Sequence, residues 1–251
     1  MGQRRYLKMP IQSAGASATG TSHFALDQPC QDAFEVVSND DCIVACVCDG
    51  AGSAPRSDEG ARTLARMVAH ALTRDPHALL NSADASEQVA AAVQAARESL
   101  TLAGDLADYH ATLCGVVLTP SGSLVFHLGD GVIFGINPDA WDDYLVSEPE
   151  NGDFVETTYF FTLPNWRGHL RVMCAPARFR TWFLMSDGAA SFAASSNPLR
   201  PESSFLRPVH NYLRSAPQTS GERALQATLE DPRSHRITTD DKTLVWLHRE
   251  P

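Results

Sequence analysis

The run Cys42-Ile43-Val44-Ala45-Cys46-Val47-Cys48, followed by Asp49-Gly50-Ala51-Gly52-Ser53 (CIVACVCDGAGS, 42–53), sets the first constraint on the fold. An unbroken run of small and branched apolar residues reads as a buried strand. An ion at its end then needs an explanation, because a carboxylate at the edge of an apolar core is unfavourable without a cation, a hydrogen-bond cage or an altered pKa. Gly50 and Gly52 allow a tight turn whose carbonyls or amides face a ligand. Taken alone, the dipeptide also suits a plain strand-ending turn.

Working outward, strand-like apolar blocks recur at 112–119, 123–129, 132–137, 155–163, 181–186 and 243–248. Thr119-Pro120-Ser121-Gly122 reads as a hairpin turn and Gly129-Asp130-Gly131 as a second, so antiparallel pairing is expected in the middle of the chain. After Ser57, the residues Ala61, Leu64, Ala65, Val68 and Leu72 recur at helical spacing. A second helix is expected from Asp84, with Glu87 three residues on as a capping-box partner. Later helices are expected at FLRPVHNYLRS, weakened by Pro208, and at GERALQATLED. Locally paired strands with helix pairs between them imply an α+β sandwich rather than a doubly wound parallel sheet. The whole chain, 1–251, is read as one domain, with the stretch around 138–180 as an embellishment over one edge.

Composition narrows the function classes. Hydrophobic residues at 43% and charged residues at 20% fit a globular protein, and a net charge of -10 argues against a nucleic-acid partner. The N-terminus has early positive charges with no apolar segment behind them. No stretch approaches the length of a membrane span, so a cytoplasmic location without membrane association is expected. The six cysteines form no zinc-type pair and read as reduced thiols.

Acidic residues recur at the ends of the apolar blocks. Asp187-Gly188 follows TWFLMS, Asp130-Gly131 follows SLVFHLG, Asp240-Asp241 precedes TLVWLH, and Asp32 precedes the run AFEVV. If these ends converge with Asp49, the pocket is too negative to exist without cations. Oxygen ligands without His or Cys suit magnesium or manganese. Two such ions ~3.5–4 Å apart activate a water for attack on phosphorus, so metal-assisted phosphomonoester hydrolysis is the chemistry implied.

Six segments in order, GTSHFALDQPCQDAF (20–34), CDGAGSAPRSDEGA (48–61), ATLCGVVL (111–118), FHLGDG (126–131), LMSDG (184–188) and TTDDKTLV (238–245), resemble the metal-dependent serine/threonine protein phosphatases of type 2C, especially small bacterial members. The resemblance implies two packed, mainly antiparallel sheets flanked by helix pairs, an α-β-β-α sandwich with metals in a cleft at one end. It implies that Asp49 bridges two Mg2+ or Mn2+ ions, that the Gly50 carbonyl completes one shell, and that Asp187 and Asp240 bind the other ion. Asp32 would act through coordinated water, and Asp130 matches the residue that helps hold a third, weaker ion. Asp241 stands where the family usually has Asn, which leaves open which member of the pair ligates. A phosphorylated protein, opposing a serine/threonine kinase, is the partner implied.

Two departures bear on mechanism. Ala51 occupies the place of a His that the family uses as proton donor, and the phosphate-gripping Arg before the first acidic motif is replaced by Ala25-Leu26-Asp27-Gln28. His23 and Arg56 are the nearest substitutes in sequence, His23 to hold Asp32 or its water and Arg56 to meet phosphate. Without donor and clamp, a module that binds a phosphorylated partner without turnover is the rival reading. A small-molecule phosphomonoesterase is a third.

Overall fold

A computed structural model describes residues 11–81, 84–150 and 158–251. In chain order the first elements are β1 (Ile11–Ala18), α1 (Thr21–Phe24), β2 (Ala33–Ser38), β3 (Ile43–Cys48), α2 (Ser57–Leu72), α3 (Pro76–Asn81) and α4 (Ala85–Thr101). A 3-10 turn (Leu106–Tyr109) leads to β4 (Leu113–Leu118), β5 (Ser123–Leu128), β6 (Val132–Ile136) and β7 (Tyr144–Ser147). Then come α5 (Trp166–His169), β8 (Arg171–Ala175), β9 (Thr181–Met185), α6 (Asp187–Ala193), β10 (Ala194–Ser195) and β11 (Arg200–Pro201). The chain closes with α7 (Ser203–Ser215), α8 (Gln218–Leu229), a second 3-10 turn (Ser234–Arg236) and β12 (Lys242–Arg249).

Two antiparallel five-stranded sheets stack face to face, in the orders β1-β12-β9-β6-β7 and β2-β3-β4-β5-β8. β3 shows why its sequence is apolar throughout. Ile43, Ala45 and Val47 face the other sheet, against Trp182, Leu184, Val245 and Leu247, while Val44, Cys46 and Cys48 face α2 and α4. With both faces covered, the alternation usual in a half-solvated antiparallel strand disappears. On the opposite side, Phe134, Phe183, Met185 and Trp246 pack against α6, α7 and α8. The α-β-β-α order expected from the sequence is therefore the architecture observed. All six cysteines are free.

The helices follow their apolar spacing. α2 buries Ala61, Leu64, Ala65, Val68 and Leu72 on one stripe, and α4 buries Val89, Val93, Ala96 and Leu100 against it. Asp84 occupies the N-cap position of α4. α7 runs through Pro208 without ending, its first turn held by the Glu202 carboxylate, which accepts from Ser204 N–H at 3.1 Å.

Two sequence expectations need correction. The turn at Gly129-Asp130-Gly131 is not a hairpin, because β5 pairs with β4 and β8, whereas β6 pairs with β9 and β7 in the other sheet. Gly129 takes φ +103° and turns the chain across the sandwich. The block 155–163 lies partly outside the described residues, and from Thr158 onward it holds a single bridge residue followed by turns. Its alternation reflects packing, since Phe161 is fully buried against the α2/α4 layer while its N–H donates to the Ala111 carbonyl at 3.0 Å. The stretch 138–180 supplies β7 and β8, the outer strands on one side of the two sheets.

Candidate metal centre

Strand register decides which acidic residues meet. In one sheet Ala33 pairs with Cys48, Val47 with Cys114 and Leu113 with Leu128, so Asp32, Asp49 and the turn carrying Asp130 share an end. In the other, Ala18 pairs with Lys242, Leu244 with Met185 and Val132 with Met185, which puts Asp240, Asp187 and the far side of the same turn at one end. The two ends coincide, because Ser186 donates its hydroxyl to Asp32 Oδ2 across the sheets at 2.7 Å.

The carboxyls at this end shift one another's titration. Burial holds the Asp49 carboxyl well above the usual carboxylate range, and the charges of Asp32, Asp187, Asp130 and Asp240 push it further in the same direction. Burial raises Asp187 as well, with Asp240 and Asp130 adding to the effect, although its carboxyl comes within hydrogen-bonding contact of Asp49. Asp32, 6% exposed, is pushed up to about 7 by burial, then by Asp241 and Asp187, against the opposing hydroxyls of Ser186 and Thr243. Asp49 and Asp130 are half-buried, while Asp187 and Asp240 open to solvent. Thr158 donates to Asp130 Oδ2 at 2.6 Å.

The loops carrying these side chains touch through their backbones. A Cβ on Gly50 would stand 2.6 Å from the Gln31 carbonyl oxygen, and one on Gly188 would stand 1.9 Å from that of Asp241. Only glycine permits that approach, which explains the Asp-Gly grammar at both positions better than a free-standing turn does. Asp187 is itself the first residue of α6 and not a turn residue.

Asp240 and Asp241 have different surroundings. Asp241 is buried, its Oδ1 accepting the Gly20 N–H and its Oδ2 the Gln31 N–H, each at 2.6 Å. His23 Nδ1 lies 2.9 Å from the same Oδ2. His23 was expected to hold Asp32 or its water, and the structure sets it against Asp241 instead. Arg56 was expected near phosphate. Its guanidinium forms a two-bond pair with Glu59 at 3.1 and 2.7 Å, donates to the Ala103 carbonyl at 3.2 Å and covers the Tyr109 ring at 4.5 Å. The charges that bear on it are those of Glu59, Tyr109 and Asp108, none of them a carboxylate of the acidic end.

Sequence reading missed a cation at this end. Lys242 is fully buried and donates to the Asp240 carbonyl at 3.3 Å, its pKa lowered by burial and supported by Asp241, Cys30, Asp240 and Asp32. Nothing in TTDDKTLV marks it, since a Lys beginning a strand normally faces water.

The donor set is all oxygen, from carboxylates and the Gly50 carbonyl, which fits magnesium or manganese. Among the described residues no group of three or more His, Cys, Asp or Glu is drawn together closely enough to hold an ion as it stands. The carboxylates repel one another, which suits this donor set to divalent cations. A separate cavity of about 410 Å³, lined by Phe192, Phe205, Thr228, Arg233 and Ile237 among others, contains none of these carboxylates.

The family description "Protein phosphatase 2C" matches residues 19–230. Serine/threonine-protein phosphatase 3 of Escherichia coli (strain K12) is 29% identical over 245 residues, covering 92% of this chain and 95% of that protein. Among solved structures, the serine/threonine phosphatase Stp1 from Staphylococcus aureus superposes with a TM-score of 0.69 at 13% identity and full coverage of both chains. The catalytic domain of the serine threonine protein phosphatase PstP, in complex with 2 manganese ions, gives 0.64 at 15% identity, covering 96% of this chain and 99% of that one. RsbX in complex with magnesium gives 0.58 at 13% identity, with 96% of each chain covered.

Proposed function

The chain belongs to the protein phosphatase 2C family, and from that membership we propose that the acidic end of its sandwich is the catalytic centre. The protein is a metal-dependent serine/threonine protein phosphatase that works with magnesium or manganese on phosphorylated proteins. One observation carries the assignment of the site: the register of both sheets brings Asp32, Asp49, Asp130, Asp187 and Asp240 to one end, where Ser186 bonds Asp32 across the sheets.

Asp49 and the Gly50 carbonyl, with Asp187 and Asp240, are the residues that would hold two ions, with Asp32 acting through water and Asp130 toward a third. Bound there, such ions lower the pKa of a water and offset charge on the phosphoryl group. The chain's own residues fix the frame. Asp49 N–H donates to the Thr112 hydroxyl at 3.1 Å and the Asp49 carbonyl accepts the Thr112 N–H at 2.9 Å, which holds the aspartate backbone at both sides. Ser186 accepts the Thr243 N–H at 3.0 Å and donates to Asp32, so that carboxylate is oriented from the other sheet. Asp241, with both oxygens engaged, ties the Gly20 and Gln31 loops to β12, and we assign it a positioning role and ligation to Asp240. Arg56 is assigned to the α2 frame rather than to phosphate.

A kinase that the enzyme opposes, and a cytoplasmic place of action away from membranes and nucleic acid, complete the proposal. The net charge of -10 supports it, as does the fact that no helix among the described residues is long and apolar enough to cross a membrane. The test is manganese-dependent phosphate release from phosphoserine and phosphothreonine peptides beside p-nitrophenyl phosphate. Peptide turnover is expected. Tight peptide binding without turnover would establish the binding module instead, and turnover of small esters alone the phosphomonoesterase.

A further inference from the structure

With Ala51 where the family carries its donor His, the reaction still needs a proton for the leaving oxygen. An alkoxide leaving group is too basic to depart readily without one. Gly50 and Ala111 form an antiparallel bridge, flanked by hydrogen bonds from Ala51 N–H to the His110 carbonyl at 3.0 Å and from Thr112 N–H to the Asp49 carbonyl at 2.9 Å. Side chains alternate along such a ribbon and opposed residues share a face, so Asp49, Ala51, His110 and Thr112 all lie on one side. His110 is thus the cross-strand neighbour of the missing histidine.

A third segment grips the same face. Phe161 N–H donates to the Ala111 carbonyl at 3.0 Å, and the alternate residues around it reach two points of the site. Thr158 bonds the Asp130 carboxylate, Phe160 stacks on the His110 ring at 5.0 Å and 12°, and the Thr162 hydroxyl bonds His110 Nδ1. The ring is therefore held in place at one nitrogen and one face. Its Nε2 has no protein partner among the described residues, and the residue is only half-buried. His23, the other candidate, has its Nδ1 set against Asp241.

We propose that His110 is a catalytic residue, donating the Nε2 proton to the seryl or threonyl oxygen as it leaves phosphorus. The inference rests on the phosphatase reading above. As water oxygen bonds phosphorus, the ester phosphorus–oxygen bond breaks and its electron pair leaves with the side-chain oxygen, which takes the imidazole proton. Solvent returns a proton to the ring, balancing the one released by the attacking water. Protonated His110 keeps its contact with Thr162, donating through Nδ1 to the hydroxyl. Burial lowers the ring's pKa, while Asp105 and Asp108 of the adjoining 3-10 turn oppose that. Asp49 stands on the facing strand of the ribbon, Thr158 reaches Asp130, and Arg97 donates to the Phe161 and Leu163 carbonyls, while the charges that bear on the ring itself are those of Asp105 and Asp108. An incoming phosphate dianion favours the protonated form.

The experiment compares kcat on a phosphoserine peptide and on p-nitrophenyl phosphate for wild type, His110→Gln and His110→Gln/Ala51→His, with manganese affinity and a thermal melt for each. His110→Gln is expected to lose ~10²–10⁴-fold on the peptide and far less on the aryl ester, whose phenolate needs little protonation. Manganese affinity should stay unchanged. The double variant should recover part of the peptide turnover, because its imidazole returns across the ribbon. Equal losses on both substrates, or no loss on the peptide, would overturn the role of His110 while leaving the phosphatase reading intact. Absence of wild-type turnover on either substrate would overturn both. If His110→Gln does not fold, the wild-type pH profile decides: an alkaline limb in kcat present with the peptide and missing with the aryl ester supports the donor, and identical limbs reject it.

Discussion

The acidic end of the sandwich and the outer face of β12 both bury ionisable groups, and the same desolvation drives them to opposite results. At the acidic end it raises carboxyls, Asp49 and Asp32 among them, and repulsion from neighbouring carboxylates adds to the effect. Where α7 meets β12, His210 and His248 lie 4.9 Å apart and burial takes each down to about 4, helped by Arg214 and opposed by Glu250. Each ring has a local hydrogen-bond partner. Trp246 Nε1–H donates to His210 Nδ1 at 3.2 Å, and Thr181 bonds His248 Nδ1 at 2.8 Å. The aspartates carry like charges facing one another at an end partly open to solvent. The histidine cluster is tied into the fold by its ring bonds, with His248 Nε2 left 3.6 Å from the Glu250 carboxylate, whereas carboxylates facing one another with Lys242 as the buried cation beside them suit added cations.

The largest effect expected from breaking this contrast is at Asp49. Asp49→Asn removes one charge and little volume, so kcat should fall by at least ~10²–10³-fold, the scale of losing one charge-stabilising group. Manganese affinity measured calorimetrically should fall with it. Stability in chelator should hold or rise, since carboxylate repulsion is relieved. A fully active variant would remove Asp49 from the centre.

Next in size is Asp241→Ala. It strips the acceptor from two buried backbone N–H groups, and each buried donor left unsatisfied costs about 1–3 kcal/mol. Urea denaturation in chelator should show this loss, where Asp240→Ala should not. Equal stability of the two variants would contradict the division of roles between the adjacent aspartates.

The pH dependence of stability sharpens the comparison. His210 and His248 have folded pKa values depressed to about 4 from 6.5, so between those values the unfolded chain binds more protons. Their contribution is complete above pH ~6.5 and is lost as pH falls toward ~4, on the order of 3 kcal/mol from either ring alone. The raised aspartates act in reverse: in chelator their contribution is present below the ordinary carboxylate pKa and is lost as pH rises toward about 7, the folded value of Asp32. Denaturation midpoints across pH 4–7 should therefore steepen in the acid-destabilised direction for Asp49→Asn and flatten for His248→Gln. Matching slopes in both variants would refute the two-cluster account.

The smallest effect is expected at Arg56. With its guanidinium committed to Glu59, the Ala103 carbonyl and Tyr109, Arg56→Ala should lower Tm slightly and leave KM for phosphopeptides unchanged. A raised KM would restore it as a phosphate contact.

The sequence by itself determined the architecture and the list of acidic residues, because burial on two faces leaves an unbroken apolar run such as CIVACVC, and a carboxylate at its end has few physical explanations. It also specified the glycines that let those loops touch. Tertiary structure alone decided what depends on register and on who faces whom. Sequence could not show that the Gly129–Gly131 turn changes sheets, that Asp241 is a clamp beside an exposed Asp240, or that Lys242 is buried among carboxylates. Nor could it place His110 opposite Ala51, since 59 positions separate them and only the bridge at Gly50 and Ala111 brings them side by side. Local pattern fixes which residues are inside, while pairing between distant strands fixes which charges must share a space.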